Sequence, residues 1–118
     1  MECIFCKIAE GVLPSDTVFE NAVVKAFRDI RPKAPVHIIV IPKMHIASVA
    51  ELASGDDSAV AAILRAAKDI AKEQGLSGYK LLFNVGRDGG QVVDHLHLHI
   101  LGGWGKKRED ENAQHLKI

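Results

Sequence analysis

The sequence has no excess of charge of either sign, because 15 Lys and Arg residues balance 15 Asp and Glu residues. Nucleic acids and anionic membranes require a basic face, so this balance argues against either as the main partner. The longest apolar runs, such as residues 38–41, have the length of a strand rather than of a membrane span. No basic segment leading into a long apolar stretch opens the sequence, so we expect no signal peptide and a cytoplasmic protein.

Cysteine is equally scarce, with two residues in a chain of 118. In a protein that is not exported, Cys3 and Cys6 are expected to form a metal or redox pair rather than a structural disulfide. The composition, 47% hydrophobic and 25% charged, excludes a disordered chain. The length fits one domain, which we place at residues 1–105, followed by a polar tail at 106–118.

The spacing of apolar residues predicts an α+β fold. Helical spacing indicates a short helix over Cys3–Ala9 and one long helix over Asp57–Gln74, which Gly75 ends. Segments rich in apolar and β-branched residues predict strands at 18–19, 23–27, 36–41, 79–85 and 95–101. This order predicts an antiparallel sheet of about five strands, covered on one face by helix.

Three of the six histidines alternate with apolar residues at His95, His97 and His99. On a strand they would share one face, while the residues between them face the core. Clustered imidazoles need partners, so the pattern indicates either metal ligands or a nucleophile with acid/base neighbours. The preceding segment 89–91, Gly-Gly-Gln, is expected to offer unhindered backbone N–H groups to an anion, which favours nucleotidyl transfer on a histidine.

Residues 95–101 resemble the signature of the histidine triad (HIT) family, three histidines each followed by an apolar residue. Blocks at 26–30, 34–43, 89–91 and 101–103 follow in the order that the family has. The similarity covers about residues 3–105 and is greatest to the Hint (histidine triad nucleotide-binding) branch, in its bacterial type with an N-terminal CxxC. It implies the HIT fold, with a sheet that continues across a homodimer.

The resemblance also implies a covalent mechanism. His97 would attack the α-phosphorus of a nucleotide and form a nucleotidyl-histidine intermediate, which water then hydrolyses. His99 would contact the phosphate oxygens and the leaving group. His95 and His37 would order the array of imidazoles.

A nucleotide site is implied in the same way. Asp29 would bind the ribose hydroxyls, and an apolar slot for the base would consist of Leu13, Phe27 and Ile30. The last two are equally compatible with ordinary core positions. Three further residues would line the phosphate and the leaving group: Asn84, Gly90 and Gln91.

Position 92 departs from the pattern of the branch, which usually has a serine where this chain has Val92. A hydroxyl there would donate a hydrogen bond to a phosphate oxygen or to the leaving group. Loss of that donor costs about 1–3 kcal/mol of transition-state stabilisation if nothing replaces it. We therefore expect slower turnover or an altered leaving-group preference.

The motif Cys3-Ile4-Phe5-Cys6 is compatible with a redox pair, with half of a zinc site or with chance. A tetrahedral zinc site needs two further ligands. In some bacterial members of the family these are the residues that correspond to His45 and His95. The resemblance thus implies a structural zinc site of four protein ligands, with no cofactor required for catalysis.

These observations predict a homodimeric hydrolase that cleaves the P–N bond of purine nucleoside 5′-phosphoramidates and binds AMP-type nucleotides. Hydrolysis of dinucleoside polyphosphates is a second enzymatic interpretation. A third is a nucleotide-binding or interaction protein with vestigial activity. A metal-dependent hydrolase is a fourth, and it would lose activity with a chelator while it stays folded.

Overall fold

A computed structural model describes residues 3–105 and shows two α-helices and five strands in that part of the chain. In chain order these elements are α1 (Ile4–Ala9), β1 (Thr17–Glu20), β2 (Val24–Arg28), β3 (Val36–Pro42), α2 (Asp57–Glu73), β4 (Tyr79–Leu82) and β5 (Leu98–Gly102). Short 3₁₀ turns occupy Val49–Glu51, Ser54–Asp56 and Arg87–Gly89. Over the described range, no helix has the length and apolar character needed to cross a membrane. The predicted tail at 106–118 lies outside the described residues.

The strands form one antiparallel sheet in the order β1-β2-β3-β5-β4, which confirms the predicted α+β class. β3 lies at the centre, where its β-branched residues are almost completely buried. β4 lies at one edge, and all four of its residues are exposed. A central strand is covered on both faces, which is why residues 38–41 show a continuous apolar run instead of an alternation.

The two helices lie on opposite faces of this sheet, whereas the sequence predicted helix on one face. Successive side chains of β3 point alternately into the two layers. Ile38 and Val40 pack in the cluster that contains the buried side of α2. Ile39 and Ile41 pack with Phe5 and the rest of the buried side of α1. The short helix therefore covers the face on which the histidines lie.

A buried lysine fastens α1 to the sheet. The ammonium of Lys25, on β2, donates to the carbonyl of Ile8 at a distance of 2.8 Å. Only 8% of this residue is exposed, and its nearest carboxylate, that of Glu20, is 4.0 Å away. A buried lysine is tolerated when its charge finds acceptors, and here one acceptor is the last turn of α1.

Two predicted strands are shorter than expected. β4 ends at Leu82 rather than at residue 85, and β5 begins at Leu98 rather than at His95. Residues 95–97 belong to no ladder; instead, the N–H of Leu96 donates to the carbonyl of Ile46 at 2.6 Å. The lead-in to β5 thus follows the segment after β3, and this positions His95 and His97.

Candidate active site and metal centre

The alternation predicted for residues 95–101 is present in the structure, although the ladder covers only its second half. Leu96, Leu98 and Ile100 lie in the core beneath α2. The histidines face the other way, with the rings of His97 and His99 5.0 Å apart between centroids. His37, on the neighbouring strand β3, places its ring 5.1 Å from that of His99. The structure therefore brings together the four histidines predicted for catalysis.

The tautomer of His97 follows from its hydrogen bond. Nδ1 of His97 lies 2.7 Å from the carbonyl oxygen of His95, which can only accept, so Nδ1 carries the hydrogen. Nε2 is left with its lone pair available. The ring is buried, and Phe5 contacts it edge-on at 5.1 Å between centroids and an angle of 84°. A fixed imidazole with a free lone pair on Nε2 is suited to nucleophilic attack.

A second chain of hydrogen bonds sets the tautomers of His37 and His99. The backbone N–H of Lys33 donates to Nδ1 of His37 at 3.0 Å, so the hydrogen of that ring is on Nε2. This Nε2–H donates to Nδ1 of His99 at 2.8 Å. His99 therefore carries its own hydrogen on Nε2, which is buried and has no hydrogen-bond partner among residues 3–105. The site thus contains a preformed donor beside His97.

Burial keeps this pair of imidazoles neutral. It lowers the pKa of His99 to about 4, assisted by the nearby rings of His97 and His37. Burial also lowers the pKa of His37, although the carboxylate of Asp29 opposes the effect. At neutral pH both rings are uncharged, so the tautomers assigned from the hydrogen bonds are maintained.

Asp29 lies beside this pair. One carboxylate oxygen accepts from the N–H of Arg31 at 2.7 Å, and the other is 3.4 Å from Nε2 of His37. The donor atoms of Asp29, His37 and His99 lie close enough together to suggest a metal site. However, Nε2 of His37 carries hydrogen and cannot be a ligand in this tautomer. The carboxylate stays available for the predicted contact with ribose.

The three residues predicted for the base slot differ in their surroundings. Phe27 is buried and Leu13 packs beside it, both against α1. Ile30 is 93% exposed and lies outside that cluster. Phe5 was missed by the sequence analysis, although its ring contacts both His97 and Phe27, the latter at 5.5 Å. Its place inside the CxxC motif was the available signal, because a helix that brings both cysteines to His95 also brings Phe5 to the triad.

The glycine-rich loop differs from its prediction. The N–H groups of residues 89, 90 and 91 donate to carbonyls of Gly86 and Arg87 at 3.0–3.1 Å, so the expected unhindered cradle for an anion is wrong. The loop closes as a 3₁₀ turn, which uses these donors internally. Gly90 adopts φ +92°, and a Cβ at this position would lie 3.7 Å from the side chain of Asn84. These two residues of the predicted phosphate site are therefore neighbours.

The side chain of Gln91 forms hydrogen bonds that hold this loop in the structure. This side chain is buried, accepts from the N–H of Gly86, and donates to the carbonyls of Ala47 and Val93 at 2.8–2.9 Å. Val92, in contrast, is 78% exposed. A role of Gln91 at the leaving group stays a prediction, because its amide is fully engaged here.

The two cysteines and two histidines predicted as metal ligands form one cluster. Their four donor atoms lie within 4.8 Å of one another. The pairs of donor atoms are Cys3 Sγ–His95 Nδ1 at 3.4 Å, Cys6 Sγ–His95 Nδ1 at 3.5 Å, Cys6 Sγ–His45 Nδ1 at 3.2 Å and His45 Nδ1–His95 Nδ1 at 3.2 Å. A tetrahedron with usual Zn–S and Zn–N bonds has edges of about 3.3–3.8 Å. The four residues thus match a tetrahedral metal centre.

The surroundings of the ligands support the same conclusion. Nε2 of His95 donates to the carbonyl of Pro42 at 2.8 Å, which leaves the Nδ1 lone pair directed into the cluster. Burial, together with the neighbouring Cys3, raises the pKa of the Cys6 thiol to about 11. Of the interpretations that the sequence left open, the convergence of two thiols and two imidazoles favours a metal ligand over a redox pair.

Comparison with known proteins agrees with this geometry. A family model described as "Scavenger mRNA decapping enzyme C-term binding" matches residues 2–115. A HIT family hydrolase from Legionella pneumophila Philadelphia 1 has a solved structure that superimposes with a TM-score of 0.85 at 52% identity, over 86% of this chain and 93% of that one. The chain belongs to the histidine triad family.

Two curated relatives extend the comparison. The purine nucleoside phosphoramidase of Escherichia coli K12 is 42% identical over 104 residues, which cover 86% of this chain and 87% of the relative. Protein HitA of Neisseria gonorrhoeae is 45% identical over 101 residues, 85% of this chain and 94% of that protein. This HIT protein is therefore a nucleotide-hydrolysing enzyme.

Proposed function

We propose that this HIT hydrolase cleaves the P–N bond of purine nucleoside 5′-phosphoramidates through a nucleotidyl intermediate on His97. The observation that carries the proposal is the pairing of a free lone pair on His97 with the neighbouring Nε2–H of His99, which has no hydrogen-bond partner in the described part of the chain. A nucleophile and a hydrogen-bond donor in adjacent positions are what transfer of a phosphorus centre requires. The name of the Escherichia coli relative supports the choice of substrate.

In the first step, Nε2 of His97 bonds to the α-phosphorus as the P–N bond breaks, and the leaving nitrogen takes a proton from solvent. In the second step, water attacks the phosphorus, the bond to Nε2 breaks, and the nucleoside monophosphate is released. The Nε2–H of His99 donates to a phosphate oxygen as negative charge grows there. The Nδ1–H of His97 donates to the carbonyl of His95, which leaves the Nε2 lone pair free for attack and stabilises the positive charge on the ring when the intermediate forms.

The nucleoside is proposed to bind next to this pair. The base would lie against Leu13 and Phe27, with Ile30 covering it from solvent. The exposure of this isoleucine supports that role, because a large apolar side chain exposed beside a catalytic site is available to a ligand. Asp29 would bind the ribose hydroxyls with its carboxylate.

The test is hydrolysis of an adenosine 5′-phosphoramidate that carries a fluorescent amine, with wild type and His97→Ala. Acid quenching during turnover should trap adenylylated His97, identified by mass spectrometry, in wild type alone. Turnover in His97→Ala would overturn the mechanism. Faster cleavage of a diadenosine polyphosphate would favour the alternative substrate class. Tight AMP binding without turnover would favour a binding protein.

We propose zinc as the metal of the cluster, because two thiolates and two imidazoles in tetrahedral arrangement are its preferred ligands. The site would be structural in the sense that all four coordination positions are filled by protein. Elemental analysis of purified protein should give one zinc per chain, with Cys3 and Cys6 protected from alkylation. Absence of zinc together with free alkylation of both cysteines would contradict the proposal.

We also propose that β4 pairs with the same strand of a second copy, so that the sheet continues across a homodimer. β4 is an edge strand with exposed Tyr79, Leu81 and Leu82, and Leu64 on α2 is exposed as well. An apolar edge of this kind is usually covered. Light scattering should give twice the mass of one chain for wild type and one mass for Leu82→Lys; a monomeric wild type would contradict this proposal.

A further inference from the structure

The attacking histidine lies outside the β-ladder. The registered pairs between β3 and β5 begin at Val40 and Leu98, and those between β4 and β5 end at Leu82 and His99. His97 is therefore not held by strand pairing on either side. Its ring is held instead by the residue two positions before it, whose carbonyl accepts its Nδ1–H, and by the edge of Phe5.

One of these supports, His95, is a member of the metal cluster, and the other, Phe5, lies between two of its members in the chain. His95 supplies the carbonyl to His97, and its own Nδ1 lies 3.2–3.5 Å from the donor atoms of Cys3, Cys6 and His45. Phe5 stands between the two cysteines on a helix of six residues, with its ring 6.1 Å from that of His95. A helix this short has little stability of its own, so its position depends on its anchors.

We propose that the Cys3–Cys6–His45–His95 cluster, with its metal in place, positions His97 for attack, with His95 and Phe5 as the positioning residues. The ligands come from three separate segments, namely α1, the turn after β3 and the lead-in to β5. The bound metal joins these segments and takes no part in bond making. This inference rests on the proposed function where it is tested by kcat. Its second test, the ¹⁵N spectrum of the His97 ring, requires no activity.

The nucleotide-binding residues are anchored differently. The backbones of Asp29 and Phe27 are fixed by the sheet, while the side chains of Phe27 and Leu13 also pack against α1. Loss of the metal should therefore lower kcat by a larger factor than it weakens the binding of AMP. Misplacement of a reacting group by about 1 Å reduces the rate about 100-fold, so we expect a decrease in kcat of about 10- to 100-fold.

The experiment compares wild type with His45→Ala and His45→Cys. His45 is exposed, and its described contacts are all to cluster residues, so its loss removes a ligand without touching the nucleotide site. His45→Cys restores a zinc ligand and should recover metal and kcat together. Met44→Ala, at the neighbouring exposed position, is the matched control and should behave as wild type. For each protein we would measure bound zinc, kcat, the Kd for AMP and the circular dichroism spectrum.

The ¹⁵N spectrum of the His97 ring is the readout that does not depend on activity. With the site filled, the ring should show a single tautomer with hydrogen on Nδ1; in His45→Ala it should show a mixture. A folded His45→Ala protein that lacks zinc but keeps wild-type kcat and an unchanged spectrum would overturn the inference. If wild type shows no turnover, the proposed function fails, and the spectra alone decide whether the cluster orders His97.

Discussion

Nε2 of His37 donates to Nδ1 of His99 across 2.8 Å, and this bond determines which nitrogen of His99 carries hydrogen. The bond is itself determined one step earlier, by the backbone N–H of Lys33 on Nδ1 of His37. A main-chain group in the loop between β2 and β3 thus selects the tautomer of a side chain on β5. The result is that the neutral form of His99 already carries a hydrogen-bond donor, its Nε2–H, on the side of the proposed active site.

Replacement of His37 by Asn should break this relay. Without the Nε2–H donor, His99 is free to place its hydrogen on Nδ1, and its Nε2 becomes an acceptor that repels phosphate oxygens. We expect kcat to fall about 10- to 100-fold, with a smaller effect on AMP binding. The check is a comparison of kcat with Kd, together with the ¹⁵N shifts of His99. A uniform loss in both parameters would indicate a folding defect instead.

The free energy of unfolding should decrease as the pH falls below the pKa of free histidine. The pKa of His99 is lowered from 6.5 to about 4, so between these values the unfolded chain binds a proton that the folded chain excludes. The neutral His99 ring makes its full contribution to the stability of the folded state above pH 6.5, and this contribution is lost as the pH falls toward 4. The slope has an upper limit of about 1.4 kcal/mol per pH unit for one group, and the partial exposure of His99 reduces it.

The contribution of His99 to the pH dependence of stability can be separated from the contributions of the other buried histidines. Urea unfolding of wild type and His99→Asn between about pH 7 and pH 5 should give a shallower dependence for the variant. Asp29, Lys33, His37 and His97 surround position 99 in both proteins, so the comparison removes only the His99 ring and its interactions with these groups. Parallel curves for the two proteins would show that His99 is not excluded from protonation.

Val92→Ser tests whether the exposed position in the loop reaches the substrate. A hydroxyl there adds a donor in a place that the valine leaves apolar, and a side chain that is 78% exposed can be replaced without loss of core packing. We expect kcat/KM for phosphoramidates to rise about 10-fold, since one hydrogen bond to a charged group contributes about 1.5 kcal/mol. Val92→Ala is the matched control, and an equal rise there would attribute the effect to size.

Gly103→Ala should destabilise the protein by about 1–3 kcal/mol. Gly103 has φ +89°, and a Cβ there would lie 3.2 Å from the backbone nitrogen of Val36 and 3.1 Å from Cβ of Pro35. Gly78→Ala is a suitable control, because a Cβ at that position meets nothing within 4 Å. Chemical unfolding of the two variants measures the difference, and equal stabilities would contradict the contact.

The sequence predicted the elements whose signals are local. α2 was visible in its helical periodicity because one of its faces is buried, and β3 in its run of β-branched residues because both of its faces are buried. The alternation of residues 95–101 predicted which side chains face the core. The cluster of Cys3, Cys6, His45 and His95 joins segments that are far apart in the sequence. It was predicted through family resemblance, since no local pattern encodes contact between such distant segments.

The features that sequence reasoning missed depend on which partner a backbone group finds. Gly89 and Gly90 are visible as glycines, but their use of N–H groups in a 3₁₀ turn depends on the carbonyls of Gly86 and Arg87. The start of β5 at Leu98 depends on the N–H of Leu96, which bonds to Ile46 instead of to a strand. The place of α1 on the histidine face involves long-range contacts, such as the hydrogen bond from Nζ of Lys25 to the carbonyl of Ile8.

The stretch from His95 to Leu101 combines two tasks in a single alternation, with leucine and isoleucine directed into the core and histidine into the site. Insertion or deletion of one residue within it would exchange the two sets, so that imidazoles enter the hydrophobic interior and aliphatic chains fill the catalytic face. Chemistry and folding would be lost in the same event. Change in this stretch is therefore restricted to substitution, whereas length variation is confined to connections such as residues 53–56, whose side chains are not buried.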